Sequence, residues 1–506
     1  MLSLALVTIA SFLLAVTLTP LVRDCAIRFG IVDQPDNQRK LHGRVIARAG
    51  GTAVLFSVLV TCALASLRLN LASIAPSAYF PFLALLSAMV AIWLLGLADD
   101  IWTLRGRQKL AGQGVIALCL ALSGFQIGSL QVLGLQVDLG LLAIPVSMVW
   151  LLGTTNALNL IDGADGLCST IGSVICGSLG VLAYVNGHFA EAAIAFAMCG
   201  ALLGFLVFNF PPASIFLGDS GSLLIGMVTG ALAIRCALKG PATVAFLAPL
   251  AILSLPLLDS CMAIVRRKLT GRSIYTTDRA HLHHTLKNKG LGDRGLLAAV
   301  ATLSLITASG ALLGQALGRD WIAPICVAVM FAILVATKAF GYAEVSLVVR
   351  RGSLFAKSFL HPVRNKPESE SQHKAVRLQG SRQWETVWET LVEFAEAEDL
   401  SRLHMDLNVP WLEEGFHGTW RRGKMPDKVE RWSTSLPIFA AGRMAGRLDV
   451  VGLAVEDEAF GPVAKLLELV EDLVPQIELI MDSPATTDST KVAKEPASPE
   501  SLTAAS

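Results

Sequence analysis

Long apolar runs constrain this chain more than any other feature. Runs of spanning length recur near residues 1–22, 49–67, 79–98, 110–124, 139–156, 168–185, 189–208, 220–236, 243–265, 296–317 and 321–341. A helix that crosses a bilayer needs roughly 20 apolar residues, and in lipid it must satisfy every backbone group internally. The pattern predicts an all-α polytopic membrane protein with about eleven transmembrane helices, the fourth short enough to be tilted or partly interfacial. Composition agrees, with 53% hydrophobic and 16% charged residues, too apolar for a soluble domain. The first run has no basic segment before it, so it reads as a retained span rather than a cleaved signal peptide. The cysteines lie mostly inside apolar runs without a CxxC pair, as small buried hydrophobes do.

Basic residues give the orientation. Arg23, Arg28, Arg39, Lys40, Arg44 and Arg48 follow the first run, Arg105, Arg107 and Lys109 the third, and Arg266, Arg267, Lys268 and Arg272 the ninth. The opposite loops hold only Arg68, Arg235, Lys239 and Arg319. The positive-inside rule puts loops after odd-numbered spans in the cytoplasm. Five polar clusters share that parity: "RKLHGRVIARAGG" (39–51), "LADD" (97–100), "NALNLIDGADGL" (156–167), "FLGDSG" (216–221) and "DRAHLHH" (278–284). Residues 1–341 therefore read as one membrane domain with a single site on its cytoplasmic face.

Beyond residue 341 the composition changes. Residues 342–383 read as a linker, 384–482 as a small cytoplasmic α+β domain, GAF-like in its order of helix, antiparallel strands and helix, and 483–506 as a disordered tail.

The clusters carry chemistry of a consistent kind. Asp99 and Asp100 repel each other unless a cation lies near; they read either as a solvated helix end or as a pair for Mg²⁺ or substrate. Lys109 is placed either to anchor the inside face or to reach a phosphate. Asn156, Asn159 and Asp162 are three residues apart and line one helix end. Gly163 and Gly166 break the helix, and Asp165 sits in the turn that follows. Asp219 reads as the N-cap of the next span or as a metal carboxylate beside exposed amides that suit phosphate. His281, His283 and His284 lack the spacing of a helical zinc pair; with Arg279, Arg266 and Arg267 nearby they read as an anion site. Together these groups ask for a ligand that is polyanionic, metal-bound and partly lipidic.

In family order, "LADDIWTLRGRQK", "NALNLIDGADGL", "FLGDSGS" and "DRAHLHH" resemble the polyprenyl-phosphate N-acetylhexosamine-1-phosphate transferases, a superfamily of the glycosyltransferase family 4 type that includes WecA-like and MraY-like enzymes. The resemblance covers residues 1–341 and is nearest the WecA-like branch. Ala47 departs from it, standing where the family often has proline. The resemblance implies transfer of GlcNAc-1-phosphate from UDP-GlcNAc, or a related UDP-sugar, to undecaprenyl phosphate. UMP leaves, in the first membrane step of cell-envelope polysaccharide synthesis. It implies catalytic Asp99 and Asp100, metal ligands Asp219 and Asp162, and substrate contacts at Arg48, Lys109, Asn156, Asn159, Asp162, Asp165, Arg279, His281, His283 and His284. Mg²⁺ is the implied cofactor, with Mn²⁺ able to replace it. The implied setting is the bacterial cytoplasmic membrane, without nucleic acid, and a homodimer is left open.

A lipid phosphate is largely dianionic at pH 7, with a second pKa near 6, and hardly needs a general base. The harder task is bringing two anions together, so Asp99 and Asp100 are expected to position groups and metal rather than abstract a proton. An ion-coupled transporter is the rival reading, although its acids would sit mid-membrane on broken helices. A receptor or scaffold is a third.

Overall fold

The apolar runs become helices in a computed structural model. It describes residues 2–33, 45–68, 76–132, 135–237, 246–269, 281–319, 321–342, 345, 349, 371–379, 383–409, 412, 414–422, 427, 431–440, 443–453 and 460–482. The chain divides into two units, one of residues 1–269 and 281–348, the other of residues 270–280 and 349–506.

In the first unit the helices are α1 (Leu2–Arg28), α2 (Gly50–Arg68), α3 (Pro76–Trp102), α4 (Gly106–Leu122), α5 (Ala143–Ile161), α6 (Leu167–Val185), α7 (Phe189–Asn209), α8 (Gly218–Ala237), α9 (Leu247–Ile252), α10 (Ser254–Leu269), α11 (Leu282–Asn288), α12 (Asp293–Leu317) and α13 (Ile322–Ala336). Among the described residues six are long and apolar enough to cross a membrane, namely α1, α3, α5 with its preceding turn, α6, α7 and α12. That is fewer than the eleven expected from the runs. The reasons are local. The apolar parts of α2 and α13 are shorter. The helix α4 has 17 residues and opens on Arg107 and Lys109. The helix α8 carries Asp219 in its first turn and Arg235 in its last. The run 243–265 breaks at Leu253 into α9 and α10, where Pro256 has no amide to give the carbonyl of Ile252.

The helix α8 forms the centre of this unit. Leu223, Leu224, Ile225, Met227, Val228, Ala231, Leu232, Ala233 and Ile234 are all fully buried, as expected of a helix that is apolar all round. It packs against α3 and α5, while α7 packs against α1 and α6. A small sheet joins distant segments beside the start of α8. In it β1 (Val32–Asp33) pairs antiparallel with β2 (Ile46–Arg48), and β2 pairs parallel with β5 (Ile215–Phe216), setting Arg48 opposite Phe216. A separate hairpin joins β3 (Ser129–Val132) to β4 (Leu135–Asp138).

Among the described residues, the second unit is a five-stranded antiparallel sheet with two helices. The strands β6 (Ser371–Gln379), β7 (Arg402–Val409), β8 (Glu414–Arg422), β9 (Arg431–Ala440) and β10 (Arg443–Leu453) lie in the order β6-β8-β7-β10-β9. Along β7, Leu403, Met405, Leu407 and Val409 are buried in strict alternation, the period that gives a strand one apolar face. They share a core with Trp384, Trp388 and Leu391 of α14 (Trp384–Ala397) and with Leu466, Leu473 and Ile477 of α15 (Phe460–Asp482). One segment departs from the sequence reading. Residues 371–379, read as linker, form the edge strand β6, in register with β8 from Ser371↔Arg422 to Gln379↔Gly415. It pairs with β8 alone and so forms one edge of the sheet.

Candidate functional site

The C-terminal ends of α3 and α5 meet the N-terminal ends of α4 and α8. The polar motifs sit at these ends. Lys109, on the first turns of α4, reaches Asp99 Oδ2 at 2.8 Å, Asp219 Oδ1 at 3.0 Å and Asn159 Oδ1 at 3.3 Å. Arg48, held by β2, reaches Asp100 Oδ1 at 3.0 Å through Nε and Asp219 Oδ2 at 2.8 Å through Nη2. The result is one chain of charge, Asp99–Lys109–Asp219–Arg48–Asp100, drawn from four segments.

The two adjacent aspartates face different partners. Asp99 Oδ1 accepts the amide of Leu104 at 2.7 Å and closes the turn after α3. The side chain of Asp100 is fully buried and accepts the first amides of α8, from Asp219 at 2.9 Å and Ser220 at 3.0 Å. An anion is favoured there by unpaired N–H groups and the helix dipole. Gly218 permits the approach. Its φ is +74°, and a Cβ on it would lie 2.6 Å from Asp100 Oδ2.

Asn159 Nδ2 donates to Asp219 Oδ1 and to Ser222 Oγ at 2.9 Å, tying the end of α5 to α8. Asn156 lies one turn back and donates to Gln113 Oε1 at 2.8 Å. Asp162 follows the last residue of α5. Its carboxylate accepts no hydrogen bond and forms no ion pair among the described residues. Burial pushes its pKa up to about 8, Asp219 and Asp100 push the same way, and Arg48 opposes them. Asp165 stands apart from this group. Its Oδ2 accepts the amide of Ala213 at 2.9 Å and fixes the loop after α7.

The histidine motif forms a second cluster. His281 precedes α11 and His283 lies in its first turn; both are buried. The rings of His281 and His283 stack at 6.0 Å, and His284 lies 4.3 Å from His283. Both nitrogens of His283 are buried without a hydrogen-bond partner among the described residues. Burial, then the charges of His284 and His281, hold it well below the usual histidine range. The ring packs against Gly163, where a Cβ would come within 2.5 Å of Nε2. The histidine and "NLIDG" motifs thus meet beside Asp162. Arg279 lies outside the described residues.

The profile of glycosyl transferase family 4 matches residues 82–237, which hold Asp99, Asp100, Lys109, Asn156, Asn159, Asp162, Asp165 and Asp219. A Bacillus subtilis protein named "Probable undecaprenyl-phosphate N-acetylglucosaminyl 1-phosphate transferase" is 30% identical over 316 residues, 62% of this chain and 85% of that one. A decaprenyl-phosphate N-acetylglucosaminephosphotransferase of Mycobacterium tuberculosis is 34% identical over 340 residues, 61% of this chain and 81% of its own. A phospho-N-acetylmuramoyl-pentapeptide-transferase of Halalkalibacterium halodurans is 30% identical over 301 residues, covering 56% and 89%. The chain belongs to glycosyl transferase family 4. None of these relatives is a transporter by name. Within this family member, Arg48 and the histidine motif lie outside the matched residues, and the fold brings both to them.

The cluster can be tested for Mg²⁺. Asp99, Asp100, Asp162 and Asp219 face Arg48 and Lys109, an excess of two negative charges when all are ionised. Among the described residues no three His, Cys, Asp or Glu side chains converge on one point as a ready cage. Mg²⁺ ordinarily takes one or two carboxylates and completes its shell with water and phosphate. Asp162, otherwise unpartnered, fits that role. Asp219 is bound by Lys109, Arg48 and Asn159 and fits as a charged neighbour.

Several residues of the site escaped the motif reading. Asp259 holds the histidine motif, with Oδ2 2.9 Å from His281 Nδ1 and Oδ1 accepting the amide of Leu282 at 2.8 Å. The sequence carries a signal for it, a lone acid inside the apolar stretch "LSLPLLDSCMAI", where an ionisable group is costly without a task. Gln113, Ser222 and Asn209 carry no such mark. Asn209 joins Gly166, Ser169 and Ile215.

Proposed function

We propose that this protein transfers GlcNAc-1-phosphate from UDP-GlcNAc to undecaprenyl phosphate, releasing UMP and forming a lipid pyrophosphoryl sugar. The sugar-phosphate transfer to a polyprenyl phosphate follows from family membership and the names of the relatives. The single geometric observation that supports it is the Asp99–Lys109–Asp219–Arg48–Asp100 chain. It gathers two cations and three carboxylates where helix ends from one side of the bundle converge. Positive residues concentrate in loops of the same parity, so we place this face, and the unit of residues 349–506, in the cytoplasm of a bacterial inner membrane.

In this reading the lipid phosphate enters at the membrane surface and attacks the β-phosphate of the donor, and the bond to UMP breaks. Lys109 and Arg48 screen the approaching phosphates while their carboxylate partners hold them in place. Asp100 fixes the start of α8, so that Asp219 cannot drift. The histidine cluster lines the donor side beside Asp162. Asp162, with Asp219 beside it, would hold Mg²⁺, and the ion would supply charge neutralisation of the diphosphate. Neither Asp99 nor Asp100 is disposed as a free base, since both are engaged by a cation and by backbone amides.

UMP release from UDP-GlcNAc by the purified protein tests the proposal. Release is expected to need both a polyprenyl phosphate and a divalent cation. Absence of release with every UDP-sugar and both metals overturns it.

A further inference from the structure

The histidine segment is held from a helix that none of the polar motifs includes. Asp259 lies on α10, is 1% exposed, and uses both carboxylate oxygens on consecutive residues. One meets His281 Nδ1 at 2.9 Å and the other accepts the amide of Leu282 at 2.8 Å. No side chain within α11 caps its own start, so this contact from another helix fills that place. A carboxylate at Nδ1 requires the imidazole proton there and leaves Nε2 as the free nitrogen. His281 stacks on His283, and His283 packs on Gly163 next to Asp162. A continuous line of contact thus runs from Asp259 to the turn that carries the unpartnered carboxylate.

We propose that Asp259 is a positioning residue for the donor. Through its two oxygens it fixes the tautomer of His281 and the placement of the histidine segment against the Asp162 turn. The inference rests on the proposed function for its kinetic readout, and it has a second readout that does not. The residue touches no reacting atom and acts through His281.

Asp259→Asn separates this role from simple support. The amide oxygen can still accept from Leu282, but the NH₂ group now donates to His281 Nδ1 and moves the ring proton to Nε2. In full-length protein labelled with ¹⁵N-histidine, and with His281→Ala to assign the signal, His281 should change from the Nδ1–H to the Nε2–H form. The KM for UDP-GlcNAc should rise about tenfold, the lower end of the loss when the outer-shell partner of a metal-bound histidine is removed. The KM for polyprenyl phosphate should stay unchanged. In the His281→Ala background the same substitution should add no further donor defect, since its route is gone. An unchanged tautomer, a donor KM equal to wild type, or an additive double variant overturns the inference. If Asp259→Asn does not accumulate as folded protein, His281→Ala alone decides. It keeps the Leu282 bond and must reproduce the donor defect, and a wild-type donor KM overturns the inference. If the wild type releases no UMP, the proposed function fails, and the tautomer of His281 alone decides this inference.

Discussion

Asp100 and Asp219 are joined backbone to side chain. The carboxylate of Asp100 accepts the amide of Asp219 at 2.9 Å, while Arg48 spans the two carboxylates at 3.0 and 2.8 Å. One acid therefore holds the helix start on which the other is mounted. Removing the first should disorganise the second.

Asp100→Ala leaves the amides of Asp219 and Ser220 without their acceptor and takes from Arg48 one of its two carboxylates. Each buried group so orphaned costs about 1–3 kcal/mol. A lower thermal midpoint in detergent and loss of UMP release are the expected outcomes. Asp99→Asn and Asp100→Asn should both stay impaired across a series from pH 6.5 to 9. Recovery of either at high pH would reinstate a proton-abstracting role.

Lys109 joins Asp99 and Asp219 in a largely buried site. Lys109→Met should destabilise the fold by about 3–5 kcal/mol, because breaking a buried pair strands its carboxylates. Pairing it with Asp99→Asn removes one stranded charge and should recover part of that loss. Equal midpoints for the single and double variants would show that the bridge carries no coupling.

Under the proposed function, Asp162 would make metal dependence sensitive to pH. Its pKa is pushed up to about 8 by burial and by the neighbouring carboxylates, so a proton must leave before a cation binds. The concentration of Mg²⁺ giving half-maximal turnover should fall as pH rises from 6.5 towards 8.5, by at most about tenfold per unit, and then level off. A raised carboxyl pKa means that the folded state holds more protons than the unfolded one between about 4 and about 8. Without metal, stability should therefore decline through that window as pH rises. Asp162→Asn should flatten both profiles.

Gly163 leaves room for the ring of His283. Gly163→Ala puts a methyl group in that space and forces the histidine away from the Asp162 turn. A raised donor KM is expected, together with a modest loss of stability of about 1–3 kcal/mol from the overpacked ring. An unaltered donor KM would separate His283 from the donor side.

The motifs were legible because lipid makes polar residues costly. "LADD", "NALNLIDGADGL" and "FLGDSG" stand out against apolar runs, and all lie where helix ends converge. Asp165 stood out equally, yet it supports a loop through Ala213, since a polar residue at a helix end serves a turn as readily as a ligand. Asp259 belongs to no motif, and its meaning depends on a histidine 22 residues away. The edge strand β6 lies in a stretch that reads as linker, because its pairing partner, β8, lies some forty residues further on.

By itself, the sequence determined the membrane character of residues 1–341, the family, and the set of charged groups available for chemistry, because hydropathy and motif order are properties of a linear chain. Only the tertiary structure decided which charges meet. It put Arg48 beside Asp219 through a parallel strand pair, divided Asp99 from Asp100 between two different partners, and carried the histidines to Gly163. Those choices depend on contacts between segments as many as 171 residues apart. Contacts of that range are fixed by packing around α8, and no local pattern encodes them.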